Sequence, residues 1–262
     1  MKRRVYRKPH RAKRKKPLWT KPIFWRSFFL AATGAATMWL VCFSPAFEVK
    51  EIEIAGAQKI EKQEFVDIIE KELNKKIGLI DSKSILLFNL DQTKKELLAR
   101  LPQAQDIKIE REFPSKIIAS VVERRAAAIF NAEGKIYSLD ESGVAFEESV
   151  FADDLLEISG GNSQIAIGEV TVEKEVLIGI LRVASEMRAS TDIAVAAAII
   201  ASPERVNLRT EEGWYLYFNP RKDIDGQIVK FFAVLTGESF KAKRSNLEYV
   251  DVRFTRVYLK EK

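Results

Sequence analysis

The sequence predicts an α+β protein: a basic tail, one membrane-crossing helix, a small mixed domain and a second, mainly β domain with flanking helices. Three observations carry this. Apolar residues run almost unbroken from Ile23 to Phe43 behind a basic N-terminus. Between Phe47 and Val122, two-residue and helical periodicities follow one another in the order strand, helix, helix, strand, strand. Beyond Arg125, short apolar runs are separated by glycines. At 262 residues, 47% hydrophobic and 31% charged, the chain can build two small cores, which excludes wholesale disorder.

The net charge of +6 is unevenly placed. Met1 to Arg26 hold twelve Lys or Arg and no acid, so the other 31 basic residues meet all 37 acids, a net of −6. A run such as Met1–Pro17 lacks the apolar surface to offset ordering, and residues 1–22 read as a disordered cytoplasmic tail. After Arg26 no charge recurs before Glu48. A helix crosses the ~30 Å hydrocarbon core with roughly 20 residues, so residues 23–44 read as a span, with Arg26 snorkelling to the headgroups. Trp19, Trp25 and Trp39 suit an aromatic belt, and the basic flank places the N-terminus in the cytoplasm and the C-terminus outside. Pro45 spoils a signal-peptidase site at Phe43-Ser44-Pro45-Ala46, and Trp39-Leu40-Val41 before Cys42 does not fit a lipoprotein signal. Nucleic acid is an alternative use of the tail, but its place beside a membrane favours topology setting and anionic lipid. Ile193–Ala201 is too short to span.

In the first outer part, residues 47–123, Ile52 and Ile54 alternate in a strand ended by Gly56. Ile60, Phe65, Ile68, Ile69 and Leu73 keep helical spacing. Asn89 offers a cap to a second helix that buries Leu97, Leu98 and Leu101 and stops at Pro102. Ile107 and Ile109, then Ile117 to Val122, form two strands joined through Phe113-Pro114-Ser115. In residues 124–262 the strands expected are Ala127–Asn131, Lys135–Leu139, Val144–Phe146, Leu155–Ile158, Ile193–Ile200, Arg205–Arg209 and Trp214–Phe218. Val176, Leu177, Ile180, Leu181, Ala184 and Met187 stripe one helix, and Gly226–Leu235 forms another.

The last element, Leu247 to Leu259, reads as one long strand with Val250, Val252 and Phe254 on one face and Tyr249, Asp251, Arg253 and Thr255 on the other. A long terminal strand suits a sheet edge, whose free N–H and C=O groups accept a strand from another protein. An internal strand, or an edge guarded by Arg253, Arg256 and Lys260, is the alternative.

Chemistry is sparse. One Cys and one His exclude an internal disulfide and the usual structural zinc sites, and no phosphate-binding glycine loop or nucleophile elbow occurs. His10 lies in the tail, across the membrane from every outer serine. Glu147-Glu148, Asp153-Asp154 and Glu211-Glu212 are neighbours that face opposite ways on a strand, so they read as solvated turns and not acid/base pairs. No cofactor or metal is expected. Trp214 and Phe218 read as core, with Tyr215 and Tyr217 on the opposite side, where a glycan-stacking surface is the alternative to plain surface aromatics.

In order and spacing the chain resembles the bacterial cell-division family FtsQ/DivIB. The resemblance rests on the basic tail and single span, Phe47-Glu-Val-Lys-Glu-Ile-Glu-Ile-Ala-Gly56, Leu101-Pro102, Arg111-Glu-Phe-Pro114, Val122-Glu123-Arg124, Tyr249-Val-Asp-Val-Arg-Phe254 and Arg256-Val-Tyr258. It implies a POTRA (polypeptide-transport-associated) domain followed by a β domain, in a non-catalytic scaffold of the cytoplasmic membrane at the division septum. Such a scaffold gathers FtsB/DivIC- and FtsL-type single-pass partners and helps regulate septal wall synthesis. It further implies that Tyr249, Val250, Asp251, Val252, Arg253 and Phe254 take up an FtsB-type segment by strand addition. Ala126 stands where the family often has proline, and the short stretch after Tyr258 places the chain nearer FtsQ than DivIB. The rival reading is a membrane-anchored cell-wall glycan- or phosphotransferase-type enzyme.

Overall fold

A computed structural model of the chain describes residue 19 and residues 21–74, 83–149, 155–161 and 165–262, with the side chains of residues 41 and 42 outside that description. Most of the basic tail with His10, and the pair Asp153-Asp154, lie outside the described residues. The first helix, α1 (Pro22–Phe43), covers the expected span and starts with Pro22 in its first turn, where a missing N–H costs nothing. Its 22 residues make a rod of about 33 Å, and Ile23, Phe28, Phe29, Leu30 and Leu40 are exposed along it. Among the described residues, no helix is long and apolar enough to cross a membrane. Arg26, Ser27, Thr33 and Thr37 dilute α1, and the side chains of Val41 and Cys42 are not among those described.

The chain divides into two compact units. Of the described residues, one gathers those up to Glu53 with Ile69–Asn89 and Glu110–Ile118; the other gathers Ile54–Ile68, Leu90–Ile109 and Ala119–Lys262. The elements after α1 run β1 (Glu51–Ala55), α2 (Lys62–Leu73), α3 (Leu90–Arg100), β2 (Ala104–Glu112) and β3 (Lys116–Glu123), the order that the periodicities predict. They include a three-stranded sheet in the order β1-β3-β2. Ile117, Ala119 and Val121 alternate into the core from β3, while Phe65, Ile68 and Ile69 form the buried face of α2.

In the first unit, Arg111 Nε and Nη2 donate to the carbonyls of Ile85 and Phe88 at 2.7 and 2.5 Å. The guanidinium thereby adds to the backbone pairing of this segment, in which Ile85 N–H donates to the Phe47 carbonyl and Val49 N–H to the Lys83 carbonyl. In the second, the Glu123 carboxylate accepts from the backbone N–H groups of Gln58, Lys59 and Ile60 at 2.8, 2.9 and 3.0 Å. Burial pushes this carboxyl upward, yet the three donors outweigh it and hold the group below the usual glutamate range. Arg124, the next residue, pairs with the buried Asp140 and donates from Nε to the Pro102 carbonyl at 3.1 Å.

The remaining strands are β4 (Ala128–Ala132), β5 (Lys135–Leu139), β6 (Ala145–Glu148), β7 (Glu157–Gly160), β8 (Val195–Ser202), β9 (Arg205–Thr210), β10 (Tyr215–Phe218), β11 (Leu247–Asp251) and β12 (Tyr258–Glu261). They form one sheet in the order β12-β11-β10-β9-β8-β7-β4-β5-β6. Two of its parallel pairs, β7 with β8 and β10 with β11, need crossovers. The helix α4 (Lys174–Ser190) makes the first crossover; α5 (Ile224–Leu235) and α6 (Glu238–Lys243) make the second. Val176, Leu177, Ile180, Val183 and Met187 of α4 and Ile228 and Phe231 of α5 pack with Phe130, Ile158, Ala198, Leu208, Leu216 and Val250 in one core cluster. Gly160 ends β7 opposite Ile200. Its φ is +92°, and a Cβ there would lie 2.4 Å from the Ile200 carbonyl oxygen, so only glycine fits. The six residues of α6 were not expected; only Phe240 among them is buried, too little to mark a periodicity.

Candidate partner-binding edge

The expected strand Leu247–Leu259 is two strands. β11 ends at Asp251, residues 252–257 turn, and β12 returns antiparallel, with Val250 opposite Leu259 and Asp251 opposite Tyr258. On its other flank β11 runs parallel to β10, with Tyr215 opposite Tyr249 and Tyr217 opposite Asp251. Of the six residues expected at an open margin, Tyr249, Val250 and Asp251 therefore lie on a strand paired on both sides, and Val252, Arg253 and Phe254 lie in the turn. As a free edge this stretch is corrected; the margin belongs to β12, at the end of the strand order. The reason is local. The Arg253 N–H bonds Asp251 Oδ1 at 3.1 Å, and its guanidinium grips the same carboxylate at 2.9 and 2.6 Å. A side chain thus bends the backbone where no glycine or proline announces a turn.

Side-chain directions follow from this bend. Val250 and Val252 are buried as expected, but Phe254, expected on the same face, is 50% exposed. Its ring meets that of Tyr258, 54% exposed, edge to face at 6.0 Å. On the sheet face opposite the core, Tyr217 stacks on Tyr249 at 4.6 Å, with Arg205 above Tyr217 at 4.2 Å and Lys260 5.7 Å from the Tyr249 ring. These cations cover ring faces that a sugar would need, so Tyr217 and Tyr249 brace the outer strands. The margin residues are Tyr258, Leu259, Lys260 and Glu261, none of them among the six expected to bind a partner, although Lys260 is expected as an edge guard. On β12 Tyr258, Lys260 and Glu261 are exposed and Leu259 is half-buried.

Main-chain directions on β12 can be assigned. The Lys262 N–H donates to the Asn246 carbonyl at 3.0 Å, towards β11. Because alternate residues of an antiparallel strand direct their N–H and C=O to opposite sides, Tyr258 and Lys260 also turn inward, while Leu259 and Glu261 turn outward.

Of the acidic pairs, Glu211-Glu212 has its second member held in an ion-pair network. Glu212 is engaged by Arg244, whose Nη2 lies 2.5 Å from its Oε1, and by Trp214 Nε1 at 3.0 Å; Arg244 also reaches Asp192 at 3.0 Å. Among the described residues no group of three potential metal ligands gathers. The hydrogen bond from Arg244 holds both carboxyls below their ordinary values, against a smaller upward push from burial. The sign follows: both acids stabilise the fold above their unfolded values of 4.5 and 3.8, and that contribution is lost as pH falls through the lower folded values. Arg244→Met should therefore cost stability at pH 7 and flatten the acid limb below about pH 4.5 in thermal melts at stepped pH. An unchanged slope would contradict the assignment.

Residues 47–124 match the POTRA domain of FtsQ type, and residues 127–253 match the C-terminal domain of cell division protein FtsQ/DivIB. A POTRA domain followed by this mainly β domain defines a class of division proteins that carry no catalytic centre. The chain belongs to the FtsQ/DivIB family of cell-division proteins. It is similar to cell division protein FtsQ of Streptomyces bingchenggensis, 26% identical over 166 residues, which are 62% of this chain and 60% of that protein. It is also similar to FtsQ of a Geobacter species, 28% identical over 167 residues (57% of this chain, 56% of that protein). DivIB of Clostridium tetani is 27% identical over 109 residues, 41% of this chain and 38% of that protein. The chain thus spans at most 60% of these relatives. The transferase reading is set aside, because the family is one of non-catalytic division proteins.

Proposed function

We propose that the chain is a divisome scaffold that captures an FtsB/DivIC-type segment by strand addition to β12, and through it an FtsL-type partner, at the septal membrane. The observation that supports this is the open flank of β12, with Leu259 and Glu261 turned outward beside the exposed rings of Phe254 and Tyr258. A guest strand there continues the ladder, and the two rings offer an apolar notch to one of its side chains. Asp251 and Arg253 keep a part as the residues that shape the turn, and Tyr249 as the brace behind it. In this reading α1 is the membrane segment: about 33 Å of helix matches the hydrocarbon thickness. Trp19, Phe24, Trp25 and Phe28 cluster at its N-terminal end, with ring centroids 5.3–6.1 Å apart, where an interfacial belt belongs. The tail then lies in the cytoplasm and both domains outside, where they help regulate septal wall synthesis. The test is partner capture by the full chain carrying Leu259→Pro and Glu261→Pro: loss of capture from a folded protein supports the reading, and retained capture overturns it.

A further inference from the structure

Helix α5 reads Ile224-Asp-Gly-Gln-Ile-Val-Lys-Phe-Phe-Ala-Val-Leu235, and after its first turn Lys230 is its one charged residue. An ammonium between Val229 and Phe231 needs partners, because a half-buried cation loses hydration without them. The Lys230 Nζ lies 2.7 Å from the Val252 carbonyl oxygen and 2.7 Å from the Phe254 carbonyl oxygen. Among the described residues no carboxylate pairs with it. Its partners belong to the turn that joins β11 to β12. The turn brings both carbonyls within reach of one ammonium. The opposite side of the turn is held by the Asp251 carboxylate through the Arg253 N–H and guanidinium. Val252 N–H, in turn, donates to the Tyr217 carbonyl at 3.0 Å.

We infer that Lys230 is a positioning residue for the β12 edge: from the helix layer it fixes the 252–254 backbone, sets the Phe254 ring against Tyr258 and aims β12 for a guest strand. This inference deepens the strand-addition reading and rests on it for its binding consequence, though the anchoring itself does not. Lys230 lies outside the guest's path and touches only this chain's own carbonyls.

The experiment uses the full chain in detergent, as parent, Lys230→Met and Lys230→Gln, with the outer segment of an FtsB/DivIC-type protein as probe. Hydrogen exchange of residues 252–258 is read first. The Met variant should speed exchange there about tenfold or more, since a charge-assisted bond is worth roughly that factor, while α4 and β8 stay unchanged. It should also weaken probe binding about tenfold, and the Gln variant, which keeps a neutral amide donor group, should recover part of both losses. A stability defect alone would speed exchange throughout the β domain and would not be confined to the turn. Unchanged exchange at 252–258 in the Met variant overturns the inference. If the Met variant unfolds, the Gln variant decides by the same criterion. If the parent fails to bind the probe, strand addition to β12 fails, while turn exchange still judges the anchoring of Lys230.

Discussion

Leu259→Pro with Glu261→Pro is expected to weaken binding of the partner segment by roughly 30-fold or more while the β domain stays folded. Each substitution removes one outward N–H and leaves a guest carbonyl without its donor, at about 1–3 kcal/mol each. Two such losses give about 2–6 kcal/mol, which spans roughly 30-fold to ~10⁴-fold in Kd. Proline is tolerated on an edge strand when its missing N–H faces solvent, so the ladder to β11 should survive. Lys260→Pro is the contrasting variant: its N–H turns towards β11, and it should lower the melting temperature as well as binding. Removing the whole stretch from Tyr249 would not make the same test. That deletion withdraws an internal strand and takes Val250 and Val252 out of the core. Binding at parental strength in the folded double variant would place the partner elsewhere.

Trp214→Ala should have the largest effect on stability. The indole is 1% exposed, lies 6.3 Å from the Phe231 ring and 5.9 Å from that of Phe240, and donates to Glu212. It therefore joins the start of β10 to α5, α6 and the Arg244 network. Deleting a buried aromatic of this size costs about 3–5 kcal/mol, a large share of the ~5–15 kcal/mol that holds a domain. Denaturant melts should show the midpoint fall while the slope stays constant. Trp214→Phe should recover most of the loss. A Trp214→Ala protein with the parental midpoint would mean that this core does not control the margin it supports.

The fold was legible where burial leaves a period. Phe65, Ile68 and Ile69 on α2, the alternation of β3 and the stripe on α4 each declare their element, because one face meets the core and the other meets water. The resemblance motifs have physical content too. Arg111, Glu123, Arg124 and the Asp251–Arg253 pair each satisfy backbone or a buried charge. Strand order was not legible. Nothing in Leu247–Asp251 says that it pairs with β10 on one flank and β12 on the other, since pairing partners are distant in sequence. The turn at 252–257 escaped for a related reason: it is made by a carboxylate and a lysine 22 residues upstream of the first carbonyl it holds. Phe254 was therefore expected on the face of Val250 and Val252 by an alternation that the chain had already abandoned.

The measurement that bears most directly on strand addition is hydrogen exchange across residues 246–262 of the full chain, with and without the partner's outer segment. Leu259 and Glu261 should become protected on binding, while Val250, already laddered on both flanks, should not change. Tight binding that leaves both outward amides as fast as in the free protein would contradict the account.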